Sequence, residues 1–464
     1  MPKLLTGLYA LLAEIAVWSV LFPLELLHIA IGRAPAGVLE ERLGRATGGR
    51  DRARPPILVH AVSAGEMAAA GPLVARLGAG PEGAEVVLTT GNAAGRRAAG
   101  LIRRQDGSSV PVSYLPWDRP RAVDRWLGTL APAAVVIVET EIWPGLFLAC
   151  RRRGIPLVVV NGRIYPRDVA RYRIAKGFFR SVLACPAAIG VQSAAERDRF
   201  LAIGAPADRV VIGGDLKRDA PAASIRSAAC VPSGRPLVVA GSTHPGEERL
   251  LLAALAGLRR DFPHAGLVVA PRHPRRTGAV ARLAASAGFR VALHSEGPGP
   301  TARADVVVVD EIGPLAALYA AADVALIGGS FVPMGGHNPL EAAAHSRAIV
   351  IGPSTGHVDG AVELLEAAGG IVRVRSADAV SLEAALSGLL ADTPRREAMG
   401  AAARAALDAA RGPSEVYAGL VRTALGERGA NLRGVPGAGA GLTSVPISGP
   451  AGPARRPPGT SRPG

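Results

Sequence analysis

The chain reads as an α/β protein built of two doubly wound domains, each a parallel sheet with helices on both faces, preceded by one apolar helix. Three observations predict this. Short apolar runs are continuous rather than alternating, as in strands buried on both faces. Ala-rich stretches of helical length separate them, the βαβ pattern of a parallel sheet. The series breaks once, in a Gly-, Pro- and Ser-rich segment, and then restarts; 464 residues suit two such domains.

Residues 1–54 form a hydrophobic helix and a basic linker. "LLTGLYALLAEIAVWSVLFPLELLHIAI" (4–31) is long enough to span a bilayer, which takes about 20 apolar residues, although Glu14, Pro23 and Glu25 interrupt it. No small-residue cleavage site follows, so it reads as an uncleaved anchor or a helix dipping into one monolayer; the bland reading is a core-packed helix. Arginines at 33, 42, 45, 50, 52 and 54 come next, an excess that keeps the remaining chain on the cytoplasmic side.

The first domain, 55–213, carries "ILVHAV", "EVVLTT", "VPVSYL", "AVVIVE", "IPLVVVN" and "AAIGVQ" as strands. Residues 214–236 are the interdomain connection. The second domain, 237–427, carries "PLVVAGS", "GLVVAP", "RVAL", "DVVVVD", "DVALIGGS" and "AIVIGPS" and ends in Ala-rich helices. Residues 428–464 are Gly, Pro, Ser and Arg without apolar periodicity, the composition of a disordered tail.

Composition narrows the function. The formal net charge of +15 attracts anions, yet no zinc finger, RNA-recognition signature or basic zipper is present, so nucleic acid is not the partner read here. An anionic small substrate or a membrane surface fits the dispersed arginines. Cys150, Cys185 and Cys230 form no CxxC or Cys/His set, which points to free thiols in a reduced compartment.

Ligands of doubly wound sheets bind beyond the carboxyl ends of the strands, so the polar clusters that follow the strands are the candidates. Glu66, in "HAVSAGE", opens a helix; it is either a capping acid, welcome at a helix N-terminus, or a general base toward a substrate hydroxyl. In "ETEIWP" (139–144), Glu139 and Glu141 flank one Thr and share a face if the strand continues. "GSTHPGEE" (241–248) places Pro245 at a helix start, the kind of terminus that binds phosphate; Glu247 and Glu248 would oppose an anion unless they point away. "PRHPRR" (271–276) offers Arg272 as a fork for phosphate or carboxylate. In "GGSFVPMGGHNPLEAAA" (328–344), Asn338, Pro339 and Glu341 read as N-cap, N1 and N3 of a helix. Capping leaves the two Gly-Gly pairs unexplained, and they read as room for a ligand to approach the backbone. No GxxxxGK[ST] loop is present. The loop histidines His244, His273 and His337 read as hydrogen-bonding groups rather than metal ligands.

In combination, "HAVSAGE", "ETEIWP", "NGR" (161–163), "GGDLKRD" (213–219), "GSTHPGEE", "PRHPRR" and "GGSFVPMGGHNPLEAAA" resemble the successive motifs of the 3-deoxy-D-manno-octulosonic acid (Kdo) transferases of Gram-negative bacteria, in family order over about residues 4–425. The resemblance implies a GT-B glycosyltransferase at the cytoplasmic face of the inner membrane. It would move Kdo from CMP-Kdo to a tetraacyl disaccharide lipid A precursor with inversion, without a cofactor or required metal. It implies Glu66 as catalytic base, with Glu139 and Lys217 supporting the transition state. Pro271, Arg272, Ile312, Gly313, Asn338, Pro339, Leu340 and Glu341 would form the donor-nucleotide site. Ala64, Arg218 and Pro314 depart from the residues common in the family. Two other readings stay open: a two-domain enzyme using a UDP-sugar, and a noncatalytic lipid-binding scaffold.

Overall fold

The computed structural model describes residues 2–432 except 33, 36, 46–54, 80–83, 105, 140 and 221–229. The apolar runs of the first domain become β1 (Ile57–His60), β2 (Val86–Thr90), β3 (Val112–Tyr114), β4 (Ala134–Val138), β5 (Leu157–Gly162) and β6 (Ala188–Val191), with β7 (Val210–Ile212) added at one edge. Those of the second become β8 (Leu237–Thr243), β9 (Gly266–Pro271), β10 (Val291–Leu293), β11 (Val306–Val308), β12 (Val324–Ile327) and β13 (Ala348–Ile351), with β14 (Ile371–Arg373) added. Both added strands are three-residue edges with partly exposed positions, so neither carries a continuous run of buried residues.

All strand pairings are parallel. The orders are β3-β2-β1-β4-β5-β6-β7 and β10-β11-β9-β8-β12-β13-β14. Successive residues of one strand serve opposite layers: Leu58, Val135 and Ile137 pack with Phe147 on one face of the first sheet, Val59 and Val136 with Met67 and Leu73 on the other. Strand order reverses between β1 and β4 and again between β8 and β12. Such switch points open a crevice at the carboxyl ends of their strands.

Three segments depart from the linear reading. The helix Val38–Arg42 is no part of a free linker: buried Glu41 accepts the Tyr114 N–H at 2.6 Å and pairs with Arg96 at 2.8 Å. Positions 33, 50, 52 and 54 lie outside the described residues. At the other end, the helix Pro413–Leu432 crosses back to the first domain, although the sequence places 413–427 with the second. Asp219 clips the crossing by accepting the N–H groups of Gly412 (2.7 Å) and Ser414 (2.6 Å). The Tyr417 hydroxyl, fully buried, donates to the Gly214 carbonyl at 2.6 Å, and its ring fills the space where a Cβ on Gly190 or Gly213 would sit. Residues 428–432, read as the start of the tail, continue this helix, and 433–464 lie outside the described residues.

The N-terminal apolar segment is a continuous helix interrupted by one π turn, Val17–Leu21, just before Pro23. Leu4–Ala30 is long and apolar enough to cross a membrane. One stripe of it faces the first domain. Tyr9 donates to Asp118 at 2.6 Å, Glu14 pairs with Arg119 at 2.6 Å, and that guanidinium sits 4.8 Å over the Trp18 ring. Phe22 meets Trp117 edge-on at 6.4 Å, and the Glu25 charge reaches Arg42. Residues 14, 18, 22 and 25 are spaced by fours and a three, one helix face. Leu4, Leu8, Leu11, Leu12, Ile15 and Leu27 stay exposed. Glu14, one of the two acids that interrupt the apolar run, is therefore a docking group, while Glu25 acts on Arg42 through its charge alone.

Candidate active site

The two switch points collect the motifs. The loops after β1 and β4 carry Glu66, Glu139 and Glu141; those after β8 and β12 carry His244 and the Gly328–Glu341 stretch.

Glu66 is a capping acid with one oxygen and unspent with the other. The Ser63 hydroxyl accepts the Glu66 N–H at 3.2 Å, while Glu66 Oε2 accepts the N–H groups of Val62 (2.8 Å) and Ser63 (3.2 Å), a complete capping box. Oε1 takes no hydrogen bond among the described residues, and the side chain is half-buried. Its charge is felt by both other carboxylates of this wall.

β4 stops at Val138, so strand alternation does not align Glu139 with Glu141. A left-handed backbone at Glu139 (φ 63°) turns it into the wall instead. Such a conformation in a non-glycine residue is costly and persists where surrounding contacts impose it. Glu139 is buried (9 % exposed); its Oε1 accepts Asn161 Nδ2 at 3.4 Å and lies 3.6 Å from Lys217 Nζ. Burial raises its pKa, against the pull of Lys217 and with a push from Glu66. For Lys217 the balance reverses. Burial works against the ammonium, yet Glu139 and Asp215 outweigh it and its pKa is raised, so Lys217 is the firmer charge of the pair. Glu141, half-buried, is pushed up to about 7 by burial and by the charges of Glu66 and Glu139.

Asn161 is the residue the sequence reading undervalued. It is fully buried at φ 56°, and its Oδ1 accepts the Leu216 N–H at 3.0 Å while its Nδ2 reaches Glu139. It thus ties the end of β5 to the connection that carries Lys217. The available signal was an Asn-Gly step at a strand end, since Asn tolerates the left-handed region.

On the second domain, Glu247 and Glu248 point inward and do not oppose an anion. Glu247 (1 % exposed) accepts the N–H groups of His244 (2.8 Å), Gly329 (2.8 Å), Ser330 (3.1 Å) and Phe331 (2.9 Å). Glu248 accepts from Thr243 and both terminal nitrogens of Arg276. Pro271 ends β9, and Arg272 beyond it is exposed with no side-chain ion pair among the described residues. Its charge acts on Glu341 and His337.

The predicted helix at Asn338 shrinks to one turn. Asn338 Oδ1 does accept the Leu340 N–H at 3.1 Å, but the helix is Leu340–Ala343, with Pro339 as its N-cap. Four residues align too few peptide dipoles to cradle a phosphate. Glu341 is exposed toward the cleft, where the charges of Lys217 and Arg272 favour its ionised form. Ile312 (84 % exposed) and Gly313 (φ 122°) stand on an open loop after β11. The Gly-Gly pairs have a packing cause. A Cβ at Gly328 would strike the Gly241–Ser242 backbone, at Gly329 the His337 ring, and at Gly335 the His357 ring.

Between the domains lies a cavity of about 370 Å³ lined by Arg163, Lys217 and Arg218 on one side and by Asn338 and His357 on the other. Arg218, where the family resemblance expects an aromatic residue, has its Nε buried without a partner among the described residues. The Tyr165 and His357 rings meet across the gap at 5.1 Å. The arrangement sets carboxylates able to take a proton opposite cations able to hold an anionic leaving group.

Residues 38–220 match the family model described as 3-Deoxy-D-manno-octulosonic-acid transferase (kdotransferase). The chain is 30 % identical over 390 residues to the 3-deoxy-D-manno-octulosonic acid transferase of Haemophilus influenzae, covering 82 % of this chain and 90 % of that protein. With the Bordetella pertussis enzyme of the same name, identity is 36 % over 362 residues, covering 75 % and 83 %. Among solved structures, Anabaena HepE in complex with UDP and glucose superposes with a TM-score of 0.56 at 13 % identity, covering 81 % of this chain and all of that one. UDP-GlcNAc 2-epimerase from Neisseria meningitidis gives 0.55 at 14 %, covering 80 % and 100 %. These two likenesses establish a shared two-domain GT-B-type fold and nothing about substrate. Identity over most of the length does more: the chain belongs to the 3-deoxy-D-manno-octulosonic acid transferase family, glycosyltransferases of lipopolysaccharide core biosynthesis.

Proposed function

We propose that the chain transfers Kdo from CMP-Kdo to a tetraacyl disaccharide lipid A precursor with inversion, using Glu66 as general base. The observation that carries this is the pairing of two switch-point walls, one with a carboxylate oxygen on Glu66 and one with the Arg272 guanidinium, both without a partner among the described residues, bridged by Lys217. An acceptor hydroxyl attacks the anomeric carbon as the bond from that carbon to the phosphate oxygen breaks. The electron pair leaves with CMP and the hydroxyl proton passes to Glu66. Positive charge growing at the anomeric carbon is partly offset by the sugar's own carboxylate. Lys217 and Arg272 stabilise the departing phosphate, and Glu139 holds Lys217 in place. Pro271, Ile312, Gly313 and Asn338–Glu341 line the nucleotide side. Purified protein offered radiolabelled CMP-Kdo and UDP-GlcNAc in parallel, with the lipid acceptor, should consume only the former. Turnover of the UDP-sugar alone defeats the assignment.

The same reading sets the N-terminal helix on the cytoplasmic face of the inner membrane, lying in the plane of one leaflet. A perpendicular span would draw Glu14, Trp18, Phe22 and Glu25 off their partners on the body, whereas an in-plane helix keeps these contacts and gives lipid its leucines. A Pro2→Cys variant in intact spheroplasts is expected to resist a membrane-impermeant maleimide added outside. Labelling from that side would mean the helix spans.

A further inference from the structure

Trp117, Asp118 and Arg119, between β3 and the helix Pro120–Leu130, all touch the N-terminal helix. Trp117 meets Phe22, Asp118 accepts from the Tyr9 hydroxyl at 2.6 Å, and Arg119 holds Glu14. Asp118 also faces the other way. Its Oδ2 accepts the Gly145 N–H and its Oδ1 the Leu146 N–H, both at 2.7 Å. These are the second and third residues of the helix Pro144–Arg152, which opens just after Glu139 and Glu141. Trp143 at its N-cap supplies no side-chain bond, so a carboxylate 27 positions upstream does the capping.

The fit is close. A Cβ on Gly145 would fall within 2.7 Å of the Asp118 carboxylate. Burial of Asp118 (8 % exposed) raises its pKa, while the Tyr9 hydroxyl and the two amides favour its ionised form. One carboxylate thus serves three donors, two from the segment behind the catalytic acids and one from the apolar helix. The stretch with the two acids is therefore held at both ends. At its start the Glu139 N–H bonds to the Val160 carbonyl at 2.9 Å, and the Glu139 side chain meets Asn161 and Lys217. At its end Asp118 fixes Gly145 and Leu146. Glu141 stands between these anchors, where the Glu66 charge acts on it. Without the Tyr9 hydroxyl, Asp118 is short of one donor in a buried place, where a missing partner costs most.

We infer that Tyr9 and Asp118 are positioning residues for the wall that carries Glu139 and Glu141, which makes the N-terminal helix a structural part of the active site and not only a membrane element. This rests on the transferase reading above and gives the helix a role that another apolar helix of equal length would not fill. Tyr9 acts through Asp118, and Asp118 acts through the start of the helix at Pro144; neither touches substrate.

The test is a double-mutant cycle in the full-length protein, reading kcat and KM for CMP-Kdo in detergent micelles with the lipid acceptor, and flotation with liposomes. Tyr9→Phe keeps the ring against Phe178 and loses only the hydroxyl. It should lower kcat by about threefold to thirtyfold, the span over which one packed chain of contacts shifts a distant site. KM for CMP-Kdo and flotation should stay unchanged. Asp118→Asn keeps an acceptor for one amide but turns an N–H₂ toward the other, so it should lower kcat at least as much. Adding Tyr9→Phe to Asp118→Asn should lower kcat no further, because the hydroxyl acts only through the carboxylate. If Asp118→Asn does not fold, the kcat, KM and flotation of Tyr9→Phe decide alone. Unchanged kcat in Tyr9→Phe, effects that multiply in the double variant, or a fall in kcat matched by lost flotation overturns the positioning role and leaves the reaction standing. Unaltered protein that turns over no CMP-Kdo overturns the transferase reading and this inference with it.

Discussion

Glu66→Gln is expected to lower turnover by about a hundredfold to ten-thousandfold, the usual worth of a positioned general base, while CMP-Kdo affinity and thermal midpoint stay near those of the unaltered protein. The substitution is clean because Gln also completes a capping box. Its carbonyl oxygen can replace Oε2 as acceptor for the Val62 and Ser63 N–H groups. Glu66→Ala is less informative, since loss of the reciprocal cap alone costs about 1 kcal/mol. Single-turnover rates with saturating donor, together with donor titrations, separate chemistry from binding. A rate within tenfold of wild type would remove Glu66 as the base. Glu141 would then be the better candidate, because burial and the neighbouring carboxylates hold it at about 7, where a base works at neutral pH.

The second large effect is expected at Lys217. Lys217→Met leaves Glu139 buried with no cation at 3.6 Å, and should cost about 3 kcal/mol, the low end for breaking a buried pair. The low end applies because the Lys217 side chain keeps 27 % of its exposure. Turnover should fall by about a hundredfold or more, as when one charge-stabilising donor is lost. Adding Glu139→Gln to Lys217→Met should restore most of the stability, since no unpaired charge remains, but none of the activity. Thermal midpoints and rates across the four variants test both claims. A single variant with unchanged midpoint and rate would show the pair to be an ordinary exposed ion pair. Recovery of activity in the double variant would show that Lys217 acts only by neutralising Glu139.

Much of this site was legible because its chemistry sits at fixed places in a repeating pattern. Glu66, Glu139, His244, Arg272 and Asn338 each follow a run of Val, Ile or Leu that has to be a buried strand, so each falls at a carboxyl end. What the residues do there was less legible. Glu247 and Glu248 read as acids at a helix start, and only their burial against the loop amides and Arg276 shows that they organise the site without repelling an anion. The glycine pairs read as room for ligand, and the structure gives that room to two imidazole rings. Glu14 reads as a flaw in a membrane helix, and it is a clasp to the body through Arg119.

The sequence by itself determined the fold class, the order of the strands along the chain, the family and the identity of the clustered polar residues. Each of these follows from local composition and spacing. Only the tertiary structure decided which oxygen of Glu66 is unspent, that Asn161 joins Glu139 to the Lys217 segment, that His244 meets His337, and that the last helix returns to the first domain. Apart from the local cap at Glu66, these depend on contacts between residues 22 to more than 200 positions apart. Chain order carries no local signal for such contacts, because they are set by how two independently formed sheets and their loops pack together.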